Sequence, residues 1–158
     1  MLHFTITAAV LLLTLTIALV PARAHEEHGS YSAGEPGDPK KPARTIRVLM
    51  FDDGSERDTK FEPASITVRK GEQIRFVLEN GGMEGHEFIL ATVAENRTHA
   101  ELMKKIPGMA HHAPNERRLA ATERGELLWR FTKAGEFEFA CLIPGHYEAG
   151  MHGKVVVK

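Results

Sequence analysis

The residues best suited to chemistry lie in Cys141-Leu-Ile-Pro-Gly-His146-Tyr-Glu-Ala-Gly-Met151, which holds the only cysteine of the chain. A histidine stands five residues after it and a methionine five beyond that. One soft thiolate, one imidazole and one thioether on a short loop suit copper better than other common metals. Soft sulfur ligands favour Cu(I), imidazole tolerates both redox states, and two histidines with a cysteine in a trigonal set, plus a weak axial methionine, form an electron-transfer copper geometry. Such a set needs a second histidine from elsewhere. The best candidate is His86, in Gly85-His86-Glu87-Phe88-Ile89-Leu90.

The flanking residues say how these side chains are positioned. In Gly135-Glu-Phe-Glu-Phe-Ala-Cys141, Phe137, Phe139 and Cys141 share one face while Glu136, Glu138 and Ala140 share the other. A period of two is the strand signal, so Cys141 is expected to end a strand with its sulfur facing the core. Pro144-Gly145 turns the chain, and Lys154-Val-Val-Val-Lys158 reads as a closing strand. Upstream, the glycine-rich Gly81–Gly85 loop delivers His86, and His86, Phe88 and Leu90 then alternate on one face.

These residues resemble those of the cupredoxins, the small blue-copper family that includes plastocyanin, azurin and pseudoazurin. The likeness is carried by His86, by Cys141-x₄-His146-x₄-Met151, by Gly153 and by the valine strand, and it spans roughly Thr45 to Lys158. It implies an all-β, cupredoxin-like Greek-key β-sandwich with a short helix-bearing flap. It also implies one type 1 copper ion with His86, Cys141 and His146 in the plane and Met151 axial. One departure matters. Many members carry Asn after the first histidine, where it ties the two ligand loops together; here the residue is Glu87, which alters the hydrogen bonding expected around the site.

The 158 residues amount to one domain. A formal net charge of -1 argues against nucleic acid as a partner. Met1 to Ala24 reads as a cleaved signal peptide: Ala8 to Val20 is almost wholly apolar, and Ala22-Arg-Ala24 fits a small-x-small cleavage site. The apolar run is short against the roughly 20 residues of a membrane span, which disfavours an uncleaved anchor. The chain is therefore read as exported to the periplasm. Export to an oxidising compartment with a single cysteine leaves a free thiol, an intermolecular bridge or a ligand. His25 to Arg44, rich in Gly, Pro, Ser and charge, is predicted to be a flexible tail, leaving 45–158 as the copper domain.

Within that domain, Thr45–Phe51 reads as a strand ending at an Asp52-Asp53-Gly54 turn. Further strands are predicted over Phe61–Arg69, Gln73–Asn80 and Glu126–Phe131, the last with Leu127, Trp129 and Phe131 on one face. Runs of this length with regular turns point to an antiparallel sandwich. Ala94 to Glu123 breaks the pattern. Thr98 to Lys105 has helical spacing, with Leu102 and Ile106 four apart, and Pro107-Gly108 stops it. This flap carries Met103, Met109, His111 and His112, and the tail carries His25 and His28. These donors suit a second, weaker copper; alternatively the flap methionines cover the sandwich and the tail is merely solvated.

The function expected is a monomeric exported protein that carries single electrons by Cu(II)/Cu(I) cycling to a redox partner protein. His146 would be the electron port, behind an apolar rim near Met83, Pro144 and Gly145. The alternative is a periplasmic protein that binds copper ions for tolerance or homeostasis, using the extra His and Met donors. No enzyme is expected. A core-facing, metal-bound Cys141 cannot attack a substrate as a thiol hydrolase does, and a copper oxidase needs a further copper centre and domain.

Overall fold

The structure, a computed structural model, describes residues 31–54, 59–106 and 113–158. Its elements in chain order are β1 (Glu35–Pro36), β2 (Arg44–Phe51), β3 (Lys60–Glu62), β4 (Ser65–Val68), β5 (Gln73–Asn80), β6 (His86–Ala91), α1 (Val93–Lys105), β7 (Glu116–Leu119), β8 (Arg124–Arg130), β9 (Gly135–Ala140) and β10 (His152–Val157). The strands form two five-stranded sheets, ordered β1-β8-β5-β2-β3 and β4-β10-β9-β6-β7.

The alternating patterns place the core between the sheets. Phe76, Phe88, Phe131, Phe139 and Trp129 are fully buried there. Phe88 and Phe139 stack with centroids 5.1 Å apart, and Phe61 meets both edge-on. Burial of each such ring is worth about 1.5–3 kcal/mol, and edge-to-face pairs add further. Gly153 is required by this packing: a Cβ there would lie 2.3 Å from the Phe139 ring and 2.8 Å from the Ala64 carbonyl oxygen.

Several expectations need correction. The sandwich is not wholly antiparallel, because β2 pairs with β5 and β4 with β10 in parallel. Parallel neighbours need a crossover rather than a hairpin, and the chain makes one by running through β3 and β4 between β2 and β5. The stretch expected as one strand over Phe61–Arg69 is two, since Pro63 lacks the donor that would continue the ladder. The pieces lie in different sheets. β7, in the region expected to lack strands, pairs with β6.

Part of the segment expected to be a flexible tail belongs to the fold. Within 25–44, β1 pairs with β8, Ala33 is fully buried, and its carbonyl accepts the Trp129 indole N–H at 3.2 Å. The Tyr31 ring meets Trp129 edge-on at 5.4 Å. A composition rich in Gly, Pro and Ser hides these two anchoring residues. Residues 1–30, including the expected signal peptide and His25 and His28, lie outside the described residues.

The helix begins earlier than predicted, and the residues whose spacing marked it are not the ones it buries. Thr92 caps it in a capping box: Glu95 N–H donates to the Thr92 hydroxyl, and Thr92 N–H donates to the Glu95 carboxylate. Asn96, Ala100 and Met103 face inward, while Leu102 and Ile106 are about half exposed. The helix covers the outer face of the second sheet, where Ala100 packs with Ile89, Ala140 and Leu142. Glu138, on the face of β9 opposite Phe137 and Phe139, is therefore buried. Its carboxylate accepts from Asn96 Nδ2 at 3.0 Å and from the Tyr147 hydroxyl at 3.1 Å.

Candidate metal centre

Three neighbouring strands of the second sheet bring the predicted ligands to one end of the sandwich. His86 opens β6, Cys141 follows β9, and Met151 precedes β10. The connection between Cys141 and Met151 is tied by its own backbone. Cys141 N–H donates to the Met151 carbonyl, Met151 N–H to that of His146, and His146 N–H to that of Ile143, each at 3.0 Å. The Thr59 hydroxyl reaches the His146 carbonyl from outside the loop at 3.4 Å.

The side chains converge accordingly. His86 Nδ1 lies 3.2 Å from His146 Nδ1, which lies 3.4 Å from Cys141 Sγ. Ligand atoms of the three residues all fall within 4.8 Å of one another, and all three side chains are buried. Met151 is fully buried in the same core cluster as Cys141. Two imidazole nitrogens and a sulfur sharing a pocket of this size, with a thioether beside them, fit copper by number and by softness. Among the described residues no other group of three or more His, Cys, Asp or Glu side chains is so arranged.

Burial sets the protonation of the metal-free site. It pushes the Cys141 thiol up to about 12, against a smaller lowering by the Glu87 backbone N–H. It also lowers His86, opposed by a hydrogen bond to Asp52. Both groups are thus held neutral at ordinary pH.

The surroundings resolve the question raised by Glu87. Its backbone N–H donates to Cys141 Sγ at 3.4 Å, so the link between the ligand loops is made by main chain and does not depend on an Asn side chain. The Glu87 carboxylate instead meets Arg118 at 3.4 Å.

Sequence reasoning missed three residues near the site. Asp52, read as part of a turn, is 3% exposed, and its Oδ2 lies 2.8 Å from His86 Nε2. Asn80, at the end of β5, holds the glycine loop. Its amide donates to the Glu84, Leu119 and Ala120 carbonyls, and its oxygen accepts from Gly82 N–H. Glu84 places a carboxylate oxygen 3.4 Å from His146 Nε2. The capping and turn preferences of Asp and Asn were the only signals available, and they do not distinguish such long-range roles.

The rim is as expected in part: Met83 is 74% exposed, and Pro144 and Gly145 are exposed beside the nearly buried His146. Glu84 makes it less apolar than predicted. Of the flap donors, Met103 is buried on the inner face of α1, which favours its covering the sandwich over its binding metal. Met109, His111 and His112 lie outside the described residues.

With fold and ligands in place, the comparisons identify the class. The model of the copper binding proteins of the plastocyanin/azurin family matches residues 49–158, and the chain belongs to that family. It is 53% identical over 137 residues to the copper-resistant cuproprotein CopI of Rubrivivax gelatinosus, covering 87% of this chain and 79% of that one. It is 34% identical over 166 residues to the protein of the same name from Pseudomonas aeruginosa, covering 87% and 88%. Auracyanin B shares the fold at a TM-score of 0.62 and 22% identity, over 80% of this chain and 96% of that one.

Proposed function

We propose that this is an exported copper-resistance protein that holds one copper ion at His86, Cys141, His146 and Met151. The observation that carries the reading is the buried convergence of two imidazole nitrogens and a thiol sulfur, in a chain 53% identical to a protein named for copper resistance. These similarities favour tolerance over the electron carriage expected first from the sequence. The apolar Ala8–Val20 run and the Ala22-Arg-Ala24 site support export.

Copper bound there would supply one-electron chemistry by passing between Cu(II) and Cu(I). The protein's part is to prepare the donors. The sandwich fixes His86, Cys141 and Met151 at the ends of three adjacent strands and His146 on the hydrogen-bonded loop between two of them, so little rearrangement is needed between redox states. The Cys141 thiol must lose its proton to ligate. The Glu87 N–H then stabilises the sulfur charge. Burial excludes water from the set, while His146 stands closest to solvent.

Electron carriage is kept as the second reading because of that last feature: His146 lies behind a rim of exposed Met83, Pro144 and Gly145 that a redox partner could cover. The test is to delete the gene and restore it as wild type or as Cys141→Ser, following survival in copper alongside visible spectra of the purified proteins. Wild type should restore survival and show an intense sulfur-to-copper band, and the variant should do neither. Equal survival with both would sink the resistance role of this site. Survival unchanged by deletion, with electron exchange retained in vitro, would favour the carrier.

A further inference from the structure

We propose that Asp52 is a positioning residue for the copper site, its carboxylate fixing the His86 proton on Nε2 and biasing the site towards Cu(II). This rests on the copper reading above and names the residue that tunes it. Asp52 stands just past the end of β2, in the first sheet, whereas His86 belongs to the second. Its Oδ2 lies 2.8 Å from His86 Nε2, 2.9 Å from Met83 N and 3.2 Å from Glu84 N, and its Oδ1 lies 2.9 Å from Gly54 N. Three of these partners are backbone N–H groups that can only donate, so the oxygens act as acceptors. A carboxylate so surrounded takes the fourth bond as an acceptor too, which requires the His86 proton on Nε2. Nδ1 is then left with its lone pair, and it is Nδ1 that faces His146 and Cys141.

Gly82 makes room for this arrangement, since a Cβ there would fall 1.9 Å from Asp52 Oδ2. A buried anion on the far side of a ligating imidazole strengthens it as a donor. The added negative charge favours the more positive metal state. Both imidazoles meet a carboxylate at Nε2, but unequally: the Glu84 side chain is 59% exposed and 3.4 Å from His146, so water weakens its effect.

The test compares wild type, Asp52→Asn and Glu84→Gln, each loaded with copper, by redox titration and visible spectroscopy. Asp52→Asn can keep an acceptor for His86 but removes the charge. The ratio of Cu(II) to Cu(I) affinity should fall about tenfold or more, each tenfold raising the potential by 59 mV for a one-electron couple. Glu84→Gln should shift it less. A copper-loaded Asp52→Asn protein with unchanged or lowered potential overturns the inference, as does an equal shift in Glu84→Gln. Loss of the sulfur-to-copper band in wild type would instead remove the copper reading beneath it. A second measurement needs no variant: nitrogen-15 spectra of the metal-free wild type should show His86 protonated at Nε2. A proton found on Nδ1 alone overturns the inference even if Asp52→Asn does not fold.

Discussion

Cys141 meets opposing demands. Its place at the end of β9 aims the sulfur into the core, and burial there holds the metal-free thiol up at about 12, far above its ordinary value. Copper needs the thiolate. Binding must therefore expel this proton at every pH below about 12, while His86, lowered by burial, is already neutral near pH 7. Cu(II) uptake at pH 7 is expected to release about one proton from Cys141, and apparent affinity should rise about tenfold per pH unit from this group. Calorimetry in buffers of different ionisation enthalpy measures the release, and none would show that the thiol does not ligate. Met151 has the opposite character, a neutral donor that only tunes. Met151→Leu should keep copper and colour but raise the potential, because a weak thioether favours Cu(II) modestly. A potential that falls or stays constant would exclude Met151 from the ligand set.

At the scale of elements, α1 shows what pattern reading can and cannot reach. Leu102 and Ile106, four apart, mark the helix in the sequence, yet neither lies on its buried face. The structure turns Asn96 inward because Glu138 awaits it on β9. The buried polar pair outranks the apolar one, and no local signal links residues 42 positions apart. Asp52 escaped notice for the same reason, since its partner His86 lies on another sheet, 34 positions on. The candidate ligands stand out because a lone cysteine, a histidine and a methionine crowd one short loop. The faces of α1 can be told apart by mutation. Met103→Ala should cost about 2 kcal/mol or more in denaturant unfolding, and Leu102→Ala should stay within about 0.5 kcal/mol. Equal costs would contradict the orientation of the helix.

For the molecule as a whole, the segment before β2 belongs to the folded unit. Trp129 is fully buried, and its indole N–H relies on the Ala33 carbonyl. Removing residues up to 43 would strand that donor, at about 1–3 kcal/mol, and remove the Tyr31 ring as well. Such a truncation should lower the melting temperature by several degrees; an unchanged value would return the segment to the role of a loose tail.

His86 and His146 stand 60 positions apart in the chain yet place their nitrogens 3.2 Å from each other. An ion held between them would act as a removable cross-link, joining β6 to a loop that is otherwise held by its own backbone hydrogen bonds and by side-chain contacts from Thr59, Glu138 and Lys104. Ligand binding to the native state alone stabilises it in proportion to occupancy. Pro144, Gly145, Glu148 and Gly150 present exposed positions in that loop, so limited proteolysis should cut the empty protein there and spare the filled one. Equal cleavage of both forms would show that the loop is rigid without the ion. If the difference holds in the cell, turnover would depend on metal supply. Chains left empty would be cleared and filled ones would persist, so abundance itself would follow copper without any change in synthesis.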